Sequence, residues 1–312
     1  MRNAFADEVT KIGAENTDVV LLSGDIGNRL FDNMKAACEG RVINCGVAEA
    51  NMMGLAAGMA LNGLKPIVYT ITPFTTTRCL EQIRVDVCYH EAPVVIVGTG
   101  AGLSYAQLGP THHSVEDIAL LRTLPGMTVL CPCDQMEVRA ALRAAVAHDG
   151  PVYMRIGKKG EPQIHEQMPD FKIGKAMTMR DGSDVCLIST GNMMKVVLDA
   201  ADLLAGTGVK ARVEGFPTVK PLDGERLAEL FDKFPLIAVA EEHSRIGGLA
   251  ASIAEWLIEQ RSFSGQLMSF GTADEFMHVI GSQNYARAHF GLTAEHIAGE
   301  VGKTIMSNAA VA

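Results

Sequence analysis

The sequence lacks an excess of positive charge and any long apolar run. Lys and Arg total 27 against 36 Asp and Glu in 312 residues, which gives a formal net charge of -9. A chain of this sign gives no general electrostatic help in holding phosphate backbones or anionic lipids. The most apolar stretch, residues 54–64, falls short of the roughly 20 residues that span a bilayer. We therefore expect neither a nucleic-acid-binding protein nor a membrane protein.

The first ten residues carry Arg2, Asp7 and Glu8, and so lack the apolar core of a signal peptide.

Cysteine is also sparse. The seven residues are an odd number with no CxxC pair of the kind that zinc sites use. Cys131 and Cys133 form an isolated CxC with no histidine nearby in the sequence, which predicts small apolar side chains at a strand end. These features favour reduced thiols in a cytoplasmic protein.

Hydrophobic residues make up 48% of the chain and charged residues 20%, as in ordinary globular proteins. At about 150 residues per domain, two domains are expected. Short, continuous apolar runs typical of buried parallel strands alternate with helical patterns. In the first half these runs lie at 18–23, 65–69, 92–99 and 126–131, with helical patterns at 3–15, 48–61, 77–87 and 134–147.

A second series of strand-like runs, at 184–189, 210–215 and 236–241, follows a looser stretch of glycine, proline and mixed charge at 157–174. The pattern predicts an α/β protein with two doubly wound domains and a mostly parallel sheet in the first. We place the domain boundary near residue 172, which gives domains of 1–172 and 173–312.

The helix predicted at 46–61, GVAEANMMGLAAGMAL, is dense in Gly and Ala and carries one acidic side chain, Glu49. Its small residues allow another helix or subunit to approach closely. Because the rest of the helix is apolar or small, we expect Glu49 to be buried, and a buried carboxylate needs a partner or a raised pKa. The alternative is that Glu49 only complements the helix dipole.

Polar residues also follow several predicted strands. Asp25 follows the first strand, at the edge where open α/β sheets bind ligands, although helix capping explains it equally well. His112 lies in a loop and could transfer protons. Arg155, Lys158 and Lys159 form a basic group that indicates an anion site, with a solvated loop as the alternative.

Three segments together are similar to the transketolase family, whose members use thiamine diphosphate. They are VINCGVAEANMMGLAAGMALNGLKPIVYTITPF, GPTHHSVEDIALLRTLPGMTVLCPCD and EEHSRIGGLAASIAEWL. Their order and spacing cover nearly the whole chain. The resemblance implies a pyrimidine-binding domain at 1–172 and a transketolase C-terminal domain at 173–312.

The resemblance also implies roles for single residues. Glu49 matches the acidic residue that hydrogen-bonds the aminopyrimidine of the cofactor and prepares it for proton removal. An aromatic side chain stacks on this ring, for which Phe74 is the first choice and Tyr69 the second. A core position is the alternative for Phe74. His112 matches the histidine that contacts cofactor and sugar hydroxyls, whereas His113 has no such match and is expected to be structural.

Further matches concern anions. Asp25 matches an acidic residue that contacts the thiazolium or the substrate, and Asn28 occupies a phosphate-contact position beside it. Arg155 and Lys158 match basic residues that clamp the distal anion of the sugar. The chain departs from the family pattern at Gln107 and Leu108, where an acidic residue is usual, and near residues 99 and 100, where a basic residue is usual.

One family motif is missing. The cofactor diphosphate and its metal are held in these enzymes by a GDG sequence with a later Asn, and no GDG occurs here. The chain therefore resembles the C-terminal half of a transketolase made as a separate subunit. This implies a partner subunit that holds the diphosphate and Mg²⁺ or Ca²⁺, no metal ligands in this chain, and a dimer of heterodimers.

The implied activity is transfer of a two-carbon ketol unit from a ketose phosphate, or a related anionic and even sulfonated ketose, to an aldose. Two alternatives remain open. One is a β subunit of a 2-oxoacid dehydrogenase or half of a pyruvate-condensing synthase, against which the segment GPTHHSVEDIALLR argues. The other is a noncatalytic scaffolding paralogue, against which retention of Glu49 and His112 argues.

Overall fold

A computed structural model describes residues 1–27, 29–260 and 265–311. Asn28 lies outside the described residues. The described chain forms two β-sheets, of seven and five strands, with helices packed against both. The strands are β1 (Val19–Ser23), β2 (Val42–Asn44), β3 (Lys65–Ile71), β4 (Val95–Thr99), β5 (Thr128–Leu130), β6 (Val152–Ile156), β7 (Met177–Arg180), β8 (Val185–Ser189), β9 (Ala211–Gly215), β10 (Thr218–Lys220), β11 (Leu236–Ser244) and β12 (Gln266–Thr272).

The helices flank these strands in sequence. They are α1 (Arg2–Glu15), α2 (Asp32–Ala37), α3 (Glu49–Leu61), α4 (Thr72–Thr75), α5 (Leu80–Gln82), α6 (Asp117–Arg122), α7 (Gln135–Ala147), α8 (Met194–Gly206), α9 (Gly224–Lys233), α10 (Leu249–Glu259), α11 (Gln283–His289) and α12 (Ala294–Val311). No helix in the described parts of the chain has both the length and the apolarity needed to cross a bilayer.

The first sheet has the order β10-β5-β6-β4-β3-β1-β2 and is parallel except for β10. Both of its faces are covered. In β3, Ile67 and Tyr69 pack into the core formed with α1 and α7, and Val68 packs into the core formed with α3. This alternation explains why the middle of the strand, residues 66–69, is apolar on both faces, since a parallel strand between two helical layers has no solvent face. The predicted fold class is confirmed.

The second sheet has the order β12-β11-β8-β9-β7, in which only the β7–β9 pair is antiparallel. Its apolar core is continuous with that of the first sheet, because Ile188 and Val239 belong to the same buried cluster as Val129. Strand β10, from the second half of the chain, also pairs with β5 of the first sheet. Residues 157–176, all described, contain neither helix nor strand. The two sheets are therefore joined by packing as well as by a linker.

The helix predicted at 77–87 is present, but its type changes along its length. A 3-10 turn at Thr77–Cys79, the single turn α5 and a π-helix at Ile83–Tyr89 follow one another. The threonine hydroxyls here donate to backbone carbonyls, with Thr76 Oγ1 to Thr72 O at 2.7 Å and Thr77 Oγ1 to Pro73 O at 2.9 Å. These bonds fix the entry into the segment, and the helical stretch predicted at 77–87 is confirmed, with an extension to Tyr89.

Candidate active site

Five loops meet at the carboxyl edge of the first sheet. Strands β2, β1, β3, β4 and β6 are parallel neighbours in that order, so the loops that follow them begin at the same edge. Open α/β sheets bind ligands at this edge. Each loop carries one residue that the sequence suggests for the site: Glu49 after β2, Asp25 after β1, Phe74 after β3, His112 after β4 and Lys158 after β6.

Glu49 is the first residue of α3, and its side chain is only 5% exposed. Its Oε2 accepts a hydrogen bond from Arg78 Nη1 at 2.9 Å, and the Arg78 side chain is 44% exposed. The expectation that a buried carboxylate needs a partner is met by this ion pair. Because the arginine is half exposed, moving one flexible side chain opens the carboxylate to a ligand.

Phe74 lies in α4, directly after β3. The turn is fixed to the neighbouring strand, since Thr72 Oγ1 donates to the Thr99 carbonyl at 3.0 Å. The Arg78 guanidinium carbon lies 4.0 Å from the centroid of the Phe74 ring, a cation–π contact. The ring is half-buried and packs edge-on against His112 at 5.4 Å between centroids. Phe74 therefore connects the arginine that pairs with Glu49 to the histidine.

The contacts continue to the last loop. The centroids of the His112 and Tyr105 rings are 6.0 Å apart, and Lys158 Nζ lies 4.3 Å from the Tyr105 centroid. A chain of direct contacts thus joins six side chains from four loops. We call this set the site cluster, and its members are Glu49, Arg78, Phe74, His112, Tyr105 and Lys158.

The two adjacent histidines have different surroundings. Burial, aided by His113 and the positive charge of Arg78, lowers the pKa of His112 below its usual value. The imidazole is therefore neutral at pH 7 and can accept a proton. Thr111 Oγ1 lies 3.0 Å from its Nδ1. His113 is buried, with Nε2 3.3 Å from the Ala106 carbonyl, so it supports the loop.

Asp25 is exposed at the same edge and accepts a hydrogen bond from Asn44 Nδ2 at 3.1 Å. It lines a cavity of about 160 Å³ that also includes Arg29 and Lys35. The N-cap of the following helix α2 is Phe31. The helix-capping alternative is therefore wrong for Asp25, and its contact with a ligand stays a prediction.

Tyr69 does not belong to the site cluster. Its side chain is fully buried, and its ring stacks on Phe5 at 5.1 Å and meets Phe31 edge-on at 5.1 Å. The reason is the alternation of β3, which turns Tyr69 with Ile67 toward α1 and away from Glu49. The role of Tyr69 as a cofactor wall is corrected accordingly, and Phe74 is the aromatic residue at the site.

Arg155 is not available to clamp an anion. It is 1% exposed, and its Nε donates to Asp117 Oδ2 at 2.8 Å. Its Nη2 donates to the carbonyls of Ser114 and Glu242 at 2.8 and 3.0 Å. The guanidinium is held in the interior by charge and hydrogen bonds that replace its hydration. Of the predicted basic pair, only Lys158 reaches the site cluster.

Sequence reasoning missed Arg78 and Tyr105 as site residues. Arg78 pairs with Glu49, which lies 29 residues earlier in the chain, and Tyr105 contacts Lys158 of another loop, so their local sequence did not indicate these contacts. Tyr105 also accounts for one departure from the expected pattern. Gly100 has φ +86°, and a Cβ there would overlap the Tyr105 ring. An aromatic ring thus fills the space beside the position where a basic residue was expected.

Fold and site together define a class of protein. It is a two-domain α/β ligand-binding subunit that presents a buried carboxylate, an aromatic ring and a neutral imidazole at the carboxyl edge of a parallel sheet. Comparison with known families then identifies it. The model of the transketolase pyrimidine-binding domain matches residues 1–162, and that of the transketolase C-terminal domain matches residues 174–297.

Individual relatives support the same family assignment. The chain is 37% identical to the 6-deoxy-6-sulfo-D-fructose transketolase subunit SqwH of a Clostridium species, covering 95% of this chain and 92% of the relative. It is 34% identical to an apulose-4-phosphate transketolase subunit of Phocaeicola vulgatus, covering 95% of this chain and 94% of that relative. A solved split gene transketolase, described as an inactive beta4 tetramer, superposes with a TM-score of 0.89 at 34% identity over 98% of each chain. The chain belongs to the transketolase family of thiamine diphosphate-dependent transferases.

Proposed function

We propose that this chain is the C-terminal subunit of a two-chain transketolase that moves a two-carbon ketol unit from an anionic ketose to an aldose. The observation that carries the proposal is the contact chain from buried Glu49 through Arg78 and Phe74 to neutral His112. It supplies a carboxyl group, an aromatic face and a proton acceptor along one edge of the sheet.

The residues present fit the aminopyrimidine ring of thiamine diphosphate. A buried carboxyl group can hydrogen-bond a ring nitrogen, and the half-buried Phe74 ring offers a face for stacking once the Arg78 guanidinium moves aside. When bound, the cofactor supplies the carbon nucleophile that attacks the ketose carbonyl. Glu49 orients the ring and holds a proton at its carboxyl group, and His112 moves a proton at a sugar hydroxyl.

The diphosphate and its metal are assigned to a partner subunit. Mg²⁺ and Ca²⁺ prefer several oxygen ligands. In the parts of the chain that the structure describes, the one group of three metal-ligating side chains includes a cysteine and lies outside the site cluster. We infer that a second chain with a diphosphate-binding domain covers the carboxyl edge, in a dimer of heterodimers.

The face of α3 that borders the site suits such a partner. Asn51, Leu55, Gly58 and Leu61 form one exposed stripe along the helix, and Val47 before it is 77% exposed. None of these side chains is charged, so close contact with another chain costs little desolvation. The inactive tetramer of one subunit type in the similar solved structure supports a need for a second kind of subunit.

The donor is proposed to be an anionic ketose. The relatives with the names quoted above act on a sugar phosphate and a sulfonated sugar, and both carry an oxyanion far from the carbonyl. We assign this group to Lys158, because Arg155 is buried against Asp117 and Arg78 lies beside Glu49 and Phe74, where the aminopyrimidine is placed. One ammonium makes a less directional clamp than a guanidinium fork, which favours a tolerant anion site.

Reconstitution of the two-chain enzyme tests the proposed function. The chain is coexpressed with a candidate diphosphate-domain subunit, and phosphorylated and sulfonated ketoses are assayed as donors with an aldose acceptor and thiamine diphosphate. Ketol transfer by the mixture, and by neither chain alone, is expected. Decarboxylation of 2-oxoacids without ketol transfer would favour a dehydrogenase or pyruvate-condensing enzyme. Failure of the mixture to bind thiamine diphosphate would favour a scaffolding role.

A further inference from the structure

A second group of reactive side chains lies where the linker between the two sheets meets the start of α7. Cys133 precedes this helix, Glu137 lies in its first turn, and His165 comes from the linker. One ligand atom from each lies within 4.8 Å of the other two, and Cys133 Sγ is 3.9 Å from His165 Nδ1. The isolated CxC therefore gains a histidine that the sequence places 32 residues away.

Hydrogen bonds from Asp134 hold the backbone around this group in place. Asp134 caps α7, with Oδ1 accepting from the amides of Met136 and Glu137 at 2.9 and 2.8 Å. Its Oδ2 accepts from the amides of Ile164 and His165 at 2.8 and 2.7 Å and lies 3.4 Å from His165 Nδ1. The linker is thus fastened to the helix by the carboxylate beside the three donors. Their positions do not depend on a mobile loop.

The donors are buried together. Cys133 and Glu137 are 5% and 2% exposed, and the His165 side chain is 15% exposed. The Glu137 carboxylate accepts from the Cys133 amide, so its position is fixed relative to the thiol. A thiolate and a carboxylate enclosed together carry two negative charges that the interior does not favour. A divalent cation would neutralise both.

We propose that Cys133, Glu137 and His165 form a zinc site that ties the interdomain linker to the first domain. Sulfur, nitrogen and oxygen donors in one group suit Zn²⁺, whereas Mg²⁺ and Ca²⁺ require oxygen donors only. Zinc sites with three protein ligands complete their coordination with water. Binding releases the thiol proton as the zinc–sulfur bond forms, so charge and atoms balance.

The site is independent of the proposed transferase chemistry, because it shares no residue with the site cluster. Asp134 Oδ2 lies 3.4 Å from His165 Nδ1, the same nitrogen that faces Cys133, so ligation through Nε2 is required for Asp134 to act as the outer carboxylate that orients the histidine. The expected consequence of metal binding is stabilisation of the junction between linker and helix.

The experiment uses the full chain, freed of metal by a chelator and then dialysed. Zn²⁺ is titrated against a chromogenic competitor, and Co²⁺ is added in parallel to report sulfur ligation by its thiolate charge-transfer absorption. We expect one zinc per chain with a Kd of about 1 µM or below, a cobalt–thiolate band and a higher Tm with zinc.

Matched variants decide the assignment. Cys133→Ala and His165→Asn should weaken zinc binding at least 100-fold and abolish the Tm shift, and Cys133→Ala should remove the cobalt–thiolate band. Cys131→Ala, at the other cysteine of the CxC, and His148→Asn should bind like the wild type. His165 is partly exposed on the linker, so this variant tests the site even if Cys133→Ala misfolds. No stoichiometric zinc in the wild type, or equal binding by the His165 variant, would overturn the proposal.

Discussion

At the scale of single residues, the site depends on how each charge is partnered. Arg155 and Arg78 are both paired with carboxylates, but Arg155 is sealed in the interior while Arg78 is half exposed. The first pair is structural, since breaking it would leave an uncompensated buried charge. The Arg78–Glu49 pair, by contrast, can exchange partners when a ligand binds. The sequence alone favoured Arg155 as a residue that binds the distal anion of the sugar, because the burial of a side chain cannot be read from its local motif.

Glu49→Gln is expected to abolish ketol transfer by the reconstituted enzyme. The amide keeps the size of the side chain but cannot hold a proton for the aminopyrimidine, so kcat should fall at least about 100-fold. Glu81→Gln is the matched control, because Glu81 is an exposed partner of Arg84 in the same region. Circular dichroism and Tm should show that both variants are folded. Activity within a few-fold of wild type for Glu49→Gln would remove Glu49 from the mechanism.

Arg78→Met is expected to raise the pKa of His112. Burial, His113 and Arg78 all favour the neutral imidazole, so removing the arginine charge relaxes one of these effects. A titration of the imidazole by NMR should show the midpoint moving toward the ordinary histidine value. Arg84→Met, which removes an arginine paired with exposed Glu81, should leave the midpoint unchanged. An unchanged or lower His112 midpoint in Arg78→Met would show that the guanidinium does not act on the histidine.

At the scale of elements, the loop after β4 is fastened to the second domain. Glu242, at the end of β11, is buried and accepts from the Leu103 amide at 2.7 Å and from Gln283 Nε2 at 2.9 Å, and it pairs with Arg287. This loop also carries Tyr105 and leads to His112. The C-terminal domain therefore positions part of the site cluster without touching it.

Gly102→Ala tests this attachment. Gly102 has φ +58°, and a Cβ there would lie 2.6 Å from the Glu242 carbonyl oxygen, which is backbone and cannot swing away. Gly126 also has a positive φ, +73°, but nothing lies within 4 Å of its added Cβ. Gly126→Ala should cost about 1–2 kcal/mol from the left-handed backbone alone. Gly102→Ala should cost at least about 1 kcal/mol more, because of overpacking.

Urea unfolding of both variants measures this difference. Equal free energies of unfolding would mean that the loop and β11 separate easily, and the attachment would then not position the site.

Elements differ in how well the sequence predicts them. The long apolar strands, such as β4 and β8, were predicted because burial on both faces leaves a continuous hydrophobic run. The segment after Thr76 is helical as predicted, whereas its change from 3-10 to α to π geometry was not indicated by the sequence. Phe74 as the stacking ring stays a prediction, whereas Tyr69 lies on the α1 face of β3, away from Glu49. His165 could not be associated with Cys133, since only the tertiary fold brings the linker to α7.

At the scale of the whole molecule, the two domains share one apolar core, and the exposed, uncharged face of α3 lies beside the site. Exposed apolar side chains at the edge of an active site indicate an interface when they form one continuous patch. Val47, Leu55 and Leu61 are exposed along α3 or just before it, and Tyr89, at the end of the π-helix that packs against α3, is 82% exposed. The second domain holds the loop that carries Tyr105 and leads to His112, and the partner is expected to contact the first domain, where the exposed face of α3 lies.

Leu55→Glu is therefore expected to prevent assembly with the diphosphate-domain subunit. Leu55 is 40% exposed at the middle of the α3 stripe, and a carboxylate there would be buried without a cation in the complex. Leu203→Glu, at a 45% exposed leucine of α8 in the second domain, introduces the same change away from this patch. Size-exclusion chromatography and thiamine diphosphate titration of the mixed subunits measure the outcome.

The two variants should behave differently for one physical reason. The cost of burying the new charge arises only where the partner covers it, so Leu55→Glu should lose both complex formation and cofactor binding while the isolated chain keeps its Tm. Leu203→Glu should retain both. If Leu55→Glu assembles as tightly as the wild type and Leu203→Glu does not, the partner docks on the second domain. Glu49 would then lie too far from the diphosphate-binding chain for one cofactor to bridge the two subunits.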